Sequence, residues 1–340
     1  MPESSPAFFS TAFLPFLPVI SLFSLPMNIL LTGGCGYVGT PLTFSLLDRG
    51  HTVTVVDLQW FGNFLPVHPN LTVIREDVRH ADRIPMTGID VVMHLANIAN
   101  DPCADLDSKL NWEVNTLATM QLVERAIAHG VPQFIHASSG SVYGVKAEPE
   151  VTEELSLIPI SDYNKTKMIS ERVLLSYAGQ ICVNILRPAT VCGYSPRMRL
   201  DLSVNLLTMQ ALTKGRITVF GGDQTRPNIH LRDMIRAYHH FLDDGRKFPG
   251  VFNAGFENIS ILEIAQRFVR HVPAEIIVTP SNDPRSYRLS SRKLLATGFA
   301  PRHTVEDAIH DIIAAYRGGR LRDEELHYNI KTMKKLPLAA

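Results

Sequence analysis

Met27-Asn28-Ile29-Leu30-Leu31-Thr32-Gly33-Gly34-Cys35-Gly36-Tyr37-Val38-Gly39 decides the fold. Asn28–Thr32 has the apolar run of a buried strand, and Val38–Arg49, stopped by Gly50, reads as a helix. The glycines occupy the turn between them. Gly33 permits a tight bend, Gly36 lets backbone approach a diphosphate, and Gly39 lets the helix pack on the strand. A helix that opens straight from such a turn, here at Tyr37 and Val38, presents free N–H groups and partial positive charge to phosphate. The stretch therefore predicts a dinucleotide site. Asp57 closes the next strand, Thr52–Val56, where a carboxylate accepts from both hydroxyls of an adenosine ribose and repels a 2′-phosphate. The expected cofactor is NAD(H) rather than NADP(H); a plain helix-capping role for Asp57 is the alternative.

Outward from this turn, short strands alternate with longer amphipathic stretches. Strands are expected at Leu71–Arg75, Val91–Leu95, Phe134–Ala137 and Ile181–Leu186, and helices at Leu106–His129 and Tyr163–Tyr177. Such alternation implies right-handed crossovers, hence an α/β fold with a doubly wound parallel sheet covered on both faces. Asp77 and Val78, just past the third strand, are placed at the adenine edge. Leu95 and Ala96, followed by Asn97, end the fourth strand beside the cofactor. All of these serve equally well as ordinary strand-end residues. After Arg187 the alternation becomes irregular, with helices expected at Leu202–Lys214, Arg232–Leu242, Ile261–His271 and Val305–Tyr316. The loop Ser195–Leu200 carries Arg197 and Arg199, candidates for the rim of a pocket. The expected organisation is a cofactor domain over 27–186 and a smaller C-terminal substrate-binding lobe over 187–318. Some elements of that lobe return to the sheet, and 319–340 is an unassigned tail.

Composition bounds the function. The chain has 340 residues, 45% apolar and 19% charged, with 21 Gly and 22 Pro, which excludes a disordered, collagen-like or coiled-coil chain. Net charge is zero, so no overall field for nucleic acid or an acidic membrane exists. The halves differ, however: residues 1–160 hold 7 Lys+Arg against 16 Asp+Glu, and residues 161–340 hold 26 against 17. An anionic ligand between the halves suits that asymmetry, as does a dimer contact or a solvated face. Four scattered cysteines without CxxC spacing read as reduced thiols of a cytoplasmic protein, and the 13 histidines show no ligand spacing, so no metal is expected. Residues 1–26 are apolar over Ala7–Leu25 but broken by Pro15 and Pro18, with no Lys or Arg before them. They read as a disordered extension or as residues ahead of a true start at Met27; a membrane-associating or targeting segment is the alternative.

Chemistry enters with Tyr163 and Lys167, which share one helix face at i and i+4. A free phenol titrates near ~10 and is a poor base at neutral pH. A cation ~4 Å away in an effective dielectric of ~20 supplies about 4 kcal/mol before screening, which brings the phenolate within reach of pH 7. Tyr163 is thus the expected base for a hydroxyl whose carbon loses hydride.

The glycine spacing, Ser138-Ser139-Gly140-Ser141-Val142-Tyr143-Gly144 and Tyr163-Asn164-Lys165-Thr166-Lys167 together resemble the extended short-chain dehydrogenase/reductase family, from Met27 to about Tyr316. Within it the chain looks like the NAD-dependent nucleotide-sugar epimerases and dehydratases. The resemblance implies a Rossmann domain, NAD, a nucleotide-diphosphate sugar substrate and a homodimer formed through Leu106–His129 and Tyr163–Tyr177. It assigns catalysis to Tyr163, Lys167 and Ser139, with Lys167 also on the nicotinamide ribose and Pro188 at its carboxamide. Asn115 matches an asparagine that fixes the active-site backbone or a water. Ser141 is a second hydroxyl near the substrate. Thr190 stands where the family commonly has Asn, and Asn205, Arg226 and Arg285 are matched to the diphosphate side of the substrate. For each arginine, an exposed surface role is the alternative.

Sugar 4,6-dehydratases of this family carry Asp-Glu after the catalytic hydroxyl residue; here Gly140 and Ser141 stand there, and the cysteine of 3,5-epimerases is absent as well. By elimination the expected reaction is C4 epimerisation through a transient keto-sugar. The alternatives are a dehydrogenase, reductase or dehydratase and, outside enzymes, an NAD-sensing scaffold.

Overall fold

The computed structural model describes residues 25–281 and 286–337. In chain order it contains β1 (Asn28–Thr32), α1 (Gly39–Asp48), β2 (Thr52–Val56), β3 (Leu71–Ile74), β4 (Val91–His94), α2 (Asp101–Ala104), α3 (Ser108–Trp112), α4 (Ala118–Ala128), β5 (Gln133–Ala137), α5 (Asp162–Ser176) and β6 (Cys182–Pro188). The second part adds β7 (Thr190–Cys192), α6 (Ser203–Lys214), β8 (Arg216–Phe220), β9 (Thr225–His230), α7 (Leu231–Asp244), β10 (Gly250–Ala254), β11 (Glu257–Ser260), α8 (Ile261–Val269), β12 (Glu275–Thr279), α9 (Arg292–Ala296), α10 (Val305–Arg317) and α11 (Asn329–Met333).

Seven parallel strands form the central sheet in the order β10-β6-β5-β4-β1-β2-β3. Ile29, Leu30 and Leu31 are fully buried because β1 is flanked by β2 and β4 and covered on both faces; Ile29 pairs with Val53 on one side and Val91 on the other. Chain order reverses between β1 and β4, so the crossovers from these strands leave toward opposite faces. A crevice opens at the carboxyl ends of the strands there. The expected Rossmann-type α/β architecture is what forms.

β10 completes the sheet from the chain's second part, paired with β6 from Gly250↔Asn184 to Ala254↔Pro188. The remaining strands build a three-stranded sheet, β11-β9-β7, and a two-stranded one, β12-β8, around a separate apolar cluster that includes Val204, Ile217, Phe268 and Ile309. The helix expected over Leu106–His129 is not uniform: a π turn at Glu113–Leu117 separates α3 from α4. Segment 319–337, unassigned from sequence, packs back on the molecule; Leu200 N–H donates to the His327 carbonyl at 2.8 Å, and Met333 is buried in the cluster that holds Cys103 and Ala104 of α2. Cys35, Cys103, Cys182 and Cys192 are free thiols. Among the described residues no helix is long and apolar enough to cross a membrane. Residues 1–24 and Arg285 lie outside the described residues.

Candidate active site

The carboxyl ends of β1, β2, β4, β5 and β6 open into a cavity of about 510 Å³. Its floor is the glycine turn. Gly33 has φ +76°, and a Cβ there would stand 2.5 Å from Ala96 N. A Cβ on Gly39 would stand 2.1 Å from the Gly33 carbonyl oxygen, so α1 approaches the turn as closely as glycine alone allows. Gly36, Tyr37 and Val38 complete this wall. No side chain caps α1, and its first turn holds no acidic residue. A helix end of this kind, facing a cavity, is a cradle for phosphate. The donor set therefore fits a dinucleotide diphosphate.

Asp57 lies on the same wall, fixed by the Cys35 N–H (3.0 Å) and the Gln59 N–H (2.7 Å). Burial raises its pKa, opposed by those two amides and by the positive charge of Arg197. Asp77 also lines the cavity, but its carboxylate is turned onto Arg79, with the Arg79 backbone N–H and Nε donating at 2.9 Å each. Val78, Leu95 and Ala96 form apolar wall beside it.

The reactive corner forms where β5 ends. Ser139, in extended backbone, accepts from the Ser141 N–H, and the two hydroxyls lie 2.8 Å apart. The Ser139 hydroxyl lies near enough to the Tyr163 phenol to hold its pKa down, and all three residues line the cavity. Ser161 caps α5 through the Asn164 N–H at 3.2 Å, which sets where the helix starts and so where Tyr163 stands. Behind the corner Glu171 pins α5 to the sheet: Arg187 Nε and Nη2 donate to its two oxygens at 2.9 and 2.6 Å, and the Ser138 hydroxyl donates as well. Arg187 also reaches the Tyr143 hydroxyl at 2.6 Å.

The expected electrostatics of Tyr163 need correction. Burial raises its pKa; Ser139 and Arg199 oppose the rise, and Asp101 adds to it. Lys167 does not act on it, because the ammonium points away and donates to the Ala137 carbonyl at 2.7 Å, behind the cavity wall and 2% exposed. Burial brings Lys167 itself down to about 7, against the pull of Glu171. Spacing at i, i+4 fixes where two side chains start, not where a four-carbon stem ends. The cation that faces the phenol comes from the loop after β7: Arg199, held by Asp201 at 3.0 and 3.2 Å, with Asn100 Nδ2 on the same carboxylate.

Two asparagines matched to the site hold backbone and do not face the cavity. Asn115 does not face the cavity. From inside the π turn its Oδ1 accepts the Ile98 N–H at 2.8 Å and its Nδ2 donates to the Ile98 carbonyl at 3.1 Å, so it fixes the wall segment after β4. Asn205 is fully buried and is corrected from a ligand residue to a brace: Oδ1 accepts from Gly193 N–H, and Nδ2 donates to the Arg199 carbonyl and the Tyr37 hydroxyl. Arg285 is not described. Pro188, Thr190 and Arg226 do line the cavity. Arg197 and Arg199, expected at the rim from the Pro/Arg loop, line it as well; Asn329 also lines it and carried no signal in the sequence. Away from the cavity, His271 of the turn after α8 meets Glu306 and His310 of α10, and ligand-type atoms of the three lie within 4.8 Å of one another. His271 Nε2 already pairs with Glu306.

Residues 29–255 match the profile of a family described as the NAD dependent epimerase/dehydratase family. A UDP-glucose 4-epimerase of Corynebacterium glutamicum is 27% identical over 83% of this chain and 94% of its own length. A dTDP-glucose 4,6-dehydratase of Streptomyces niveus is 26% identical over 86% of this chain and 94% of its own. Among solved structures, the Thermus thermophilus UDP-glucose 4-epimerase in complex with NAD superposes with a TM-score of 0.76 at 26% identity, covering 86% of this chain and 99% of that one.

Proposed function

We propose, from the premise that this chain belongs to the NAD dependent epimerase/dehydratase family, that it is a nucleotide-sugar epimerase acting at C4. It is an NAD-dependent enzyme of the extended short-chain dehydrogenase/reductase type. Support for the finer reading is the pairing of Tyr163 and Ser139 inside the glycine-floored cavity, with Gly140 and Ser141 in place of an acid pair. Neither can protonate a leaving hydroxyl or remove a proton beside a ketone, so water elimination lacks its groups.

In this reading the glycine turn and the start of α1 hold the cofactor diphosphate, and Asp57 holds the adenosine ribose. Val78, Leu95 and Ala96 flank the adenine, with Asp77 contributing backbone. Pro188 faces the nicotinamide half, and Lys167 holds the Ala137 carbonyl behind that wall. Bound NAD would supply the hydride acceptor and donor for the sugar carbon. Tyr163 takes the hydroxyl proton and later gives it back; Ser139 donates to the same oxygen, and Ser141 orients Ser139. Arg199 favours the phenolate. Thr190 and Arg226 face the nucleotide-sugar, Arg226 by its match to the diphosphate-binding arginine; a guanidinium grips two phosphate oxygens at once. Asn115 and Asn205 act by holding backbone. A homodimer through α3, α4 and α5 agrees with the exposure of Trp112 and Leu117, and a cytoplasmic location with the free thiols.

The test offers purified protein a panel of UDP-, GDP-, CDP- and dTDP-sugars. Interconversion of one C4 pair without net NADH is expected, and Tyr163→Phe should abolish it by ~10²-fold or more while NAD stays bound. Stoichiometric NADH would identify a dehydrogenase, consumption of added NADH a reductase, and a 4-keto-6-deoxy product a dehydratase. Any of these overturns the epimerase reading.

A further inference from the structure

Arg197 is a buried cation with no carboxylate in direct contact among the described residues. It is 3% exposed, and among the described residues no carboxylate lies within 4.0 Å of it. Nη1 donates to the Met198 carbonyl at 3.3 Å and Nη2 to Asn329 Oδ1 at 2.6 Å, whereas Nε has no partner. The guanidinium lies 4.0 Å above the Phe61 ring, four residues beyond Asp57. Arg197, Phe61 and Asn329 all line the same cavity as the glycine turn. Isolation of a charge at this depth is costly unless a ligand supplies the counter-ion. Burial and the neighbouring Arg199 push Arg197 down to about 9, against the more distant pull of Asp201 and Asp57.

The contact to Asn329 ties this arginine to the C-terminal segment. α11 is anchored by Met333 in the cluster around α2, and the His327 carbonyl takes the Leu200 N–H at 2.8 Å. The segment therefore straps the loop 195–201 over the end of the cavity where Asp57 lies, close enough for Arg197 to act on the Asp57 charge.

We infer that Arg197 binds the diphosphate of the dinucleotide, and that the C-terminal segment, through Asn329, aims it. The ligand it fits is a dinucleotide diphosphate in the cavity floored by the glycine turn, with Nε left without a partner beside Phe61 and Asn329. The inference rests on the dinucleotide reading of the cavity. A nucleotide-sugar diphosphate has the same chemistry, and the experiment separates the two sources.

Calorimetric titrations on cofactor-stripped protein compare wild type, Arg197→Met, Arg197→Lys and Asn329→Ala, each with NAD, ADP-ribose, adenosine and UDP. Loss of one charge-assisted hydrogen-bonding group is worth ~10- to 100-fold in Kd. Arg197→Met should weaken NAD and ADP-ribose by about that factor and leave adenosine and UDP within about 2-fold, with Arg197→Lys in between. Asn329→Ala, which removes only the group that aims the arginine, should weaken NAD and ADP-ribose by ~3- to 10-fold and spare adenosine. Equal losses for adenosine and NAD would reduce Arg197 to packing, and unchanged NAD affinity would refute it outright. UDP weakened with NAD unchanged would assign the arginine to the sugar nucleotide and overturn the inference. Wild-type protein that fails to bind NAD would sink the dinucleotide reading itself, a result distinct from all of these.

Discussion

Replacing Lys167 with Met should remove from the cofactor-free protein one stability gain that the wild type shows as pH rises above 7. The ammonium sits 2% exposed with one partner, the Ala137 carbonyl at 2.7 Å, and burial brings its pKa from 10.5 to about 7. In the unfolded chain the amine stays protonated up to 10.5, so between about 7 and 10.5 the unfolded state binds more protons and stability rises with pH. Integrating one such group from pH 7 to pH 9.5 gives about 3 kcal/mol. Met keeps the stem length and packing but cannot titrate. It also leaves the Ala137 carbonyl without its donor, a cost of about 1–3 kcal/mol that does not depend on pH. The measurement is urea unfolding of both proteins without NAD at pH 7.0, 8.0, 9.0 and 9.5, followed by tryptophan fluorescence. Only the difference between the two profiles matters, since thiols and other phenols titrate alike in both. The wild type should gain on the variant by about 3 kcal/mol across the series. Profiles parallel within about 1 kcal/mol would mean that the ammonium is solvated in the folded protein, and the placement of Lys167 behind the cavity wall would be wrong.

Arg199→Met removes the cation that favours the Tyr163 phenolate, so the limb of the kcat/KM profile that rises with pH should move to higher pH, whereas a purely structural role would lower the profile without moving it. Glu171→Ala leaves Arg187, which it holds at 2.6 and 2.9 Å, as an uncompensated buried charge, and thermal unfolding should register a loss of about 3–5 kcal/mol. Gly39→Ala places a methyl 2.1 Å from the Gly33 carbonyl oxygen, where only backbone can yield; NAD affinity by calorimetry should fall by ~10-fold or more, and unchanged affinity would mean that the turn tolerates opening.

What the sequence discloses here follows the range of the interaction that encodes it. Strand and helix periodicity is local, so β1 to β6 were legible from alternation alone. β10 was not, because Gly250 and the polar Asn253 break its apolar run, and its burial comes from pairing with β6, more than sixty residues earlier. Motif positions were legible in the same local sense: the glycine turn, Ser139, Ser141 and Tyr163 converge on one cavity as the spacing implies. The ends of long side chains were not. Lys167 starts beside Tyr163 and finishes on Ala137, while the charge that faces the phenol arrives from Arg199, 36 residues further along. Asn205 shows the same limit from the other direction. Its amide is spent on Gly193, Arg199 and Tyr37, so whatever it contributes to a ligand passes through the loop that carries Arg197 and Arg199. A motif match fixes which backbone stands near a ligand, because chain connectivity carries the backbone there. Which atoms then face the ligand depends on the hydrogen bonds each polar side chain finds first, and at this site two of those partners, Asn329 and His327, lie in a segment with no motif at all.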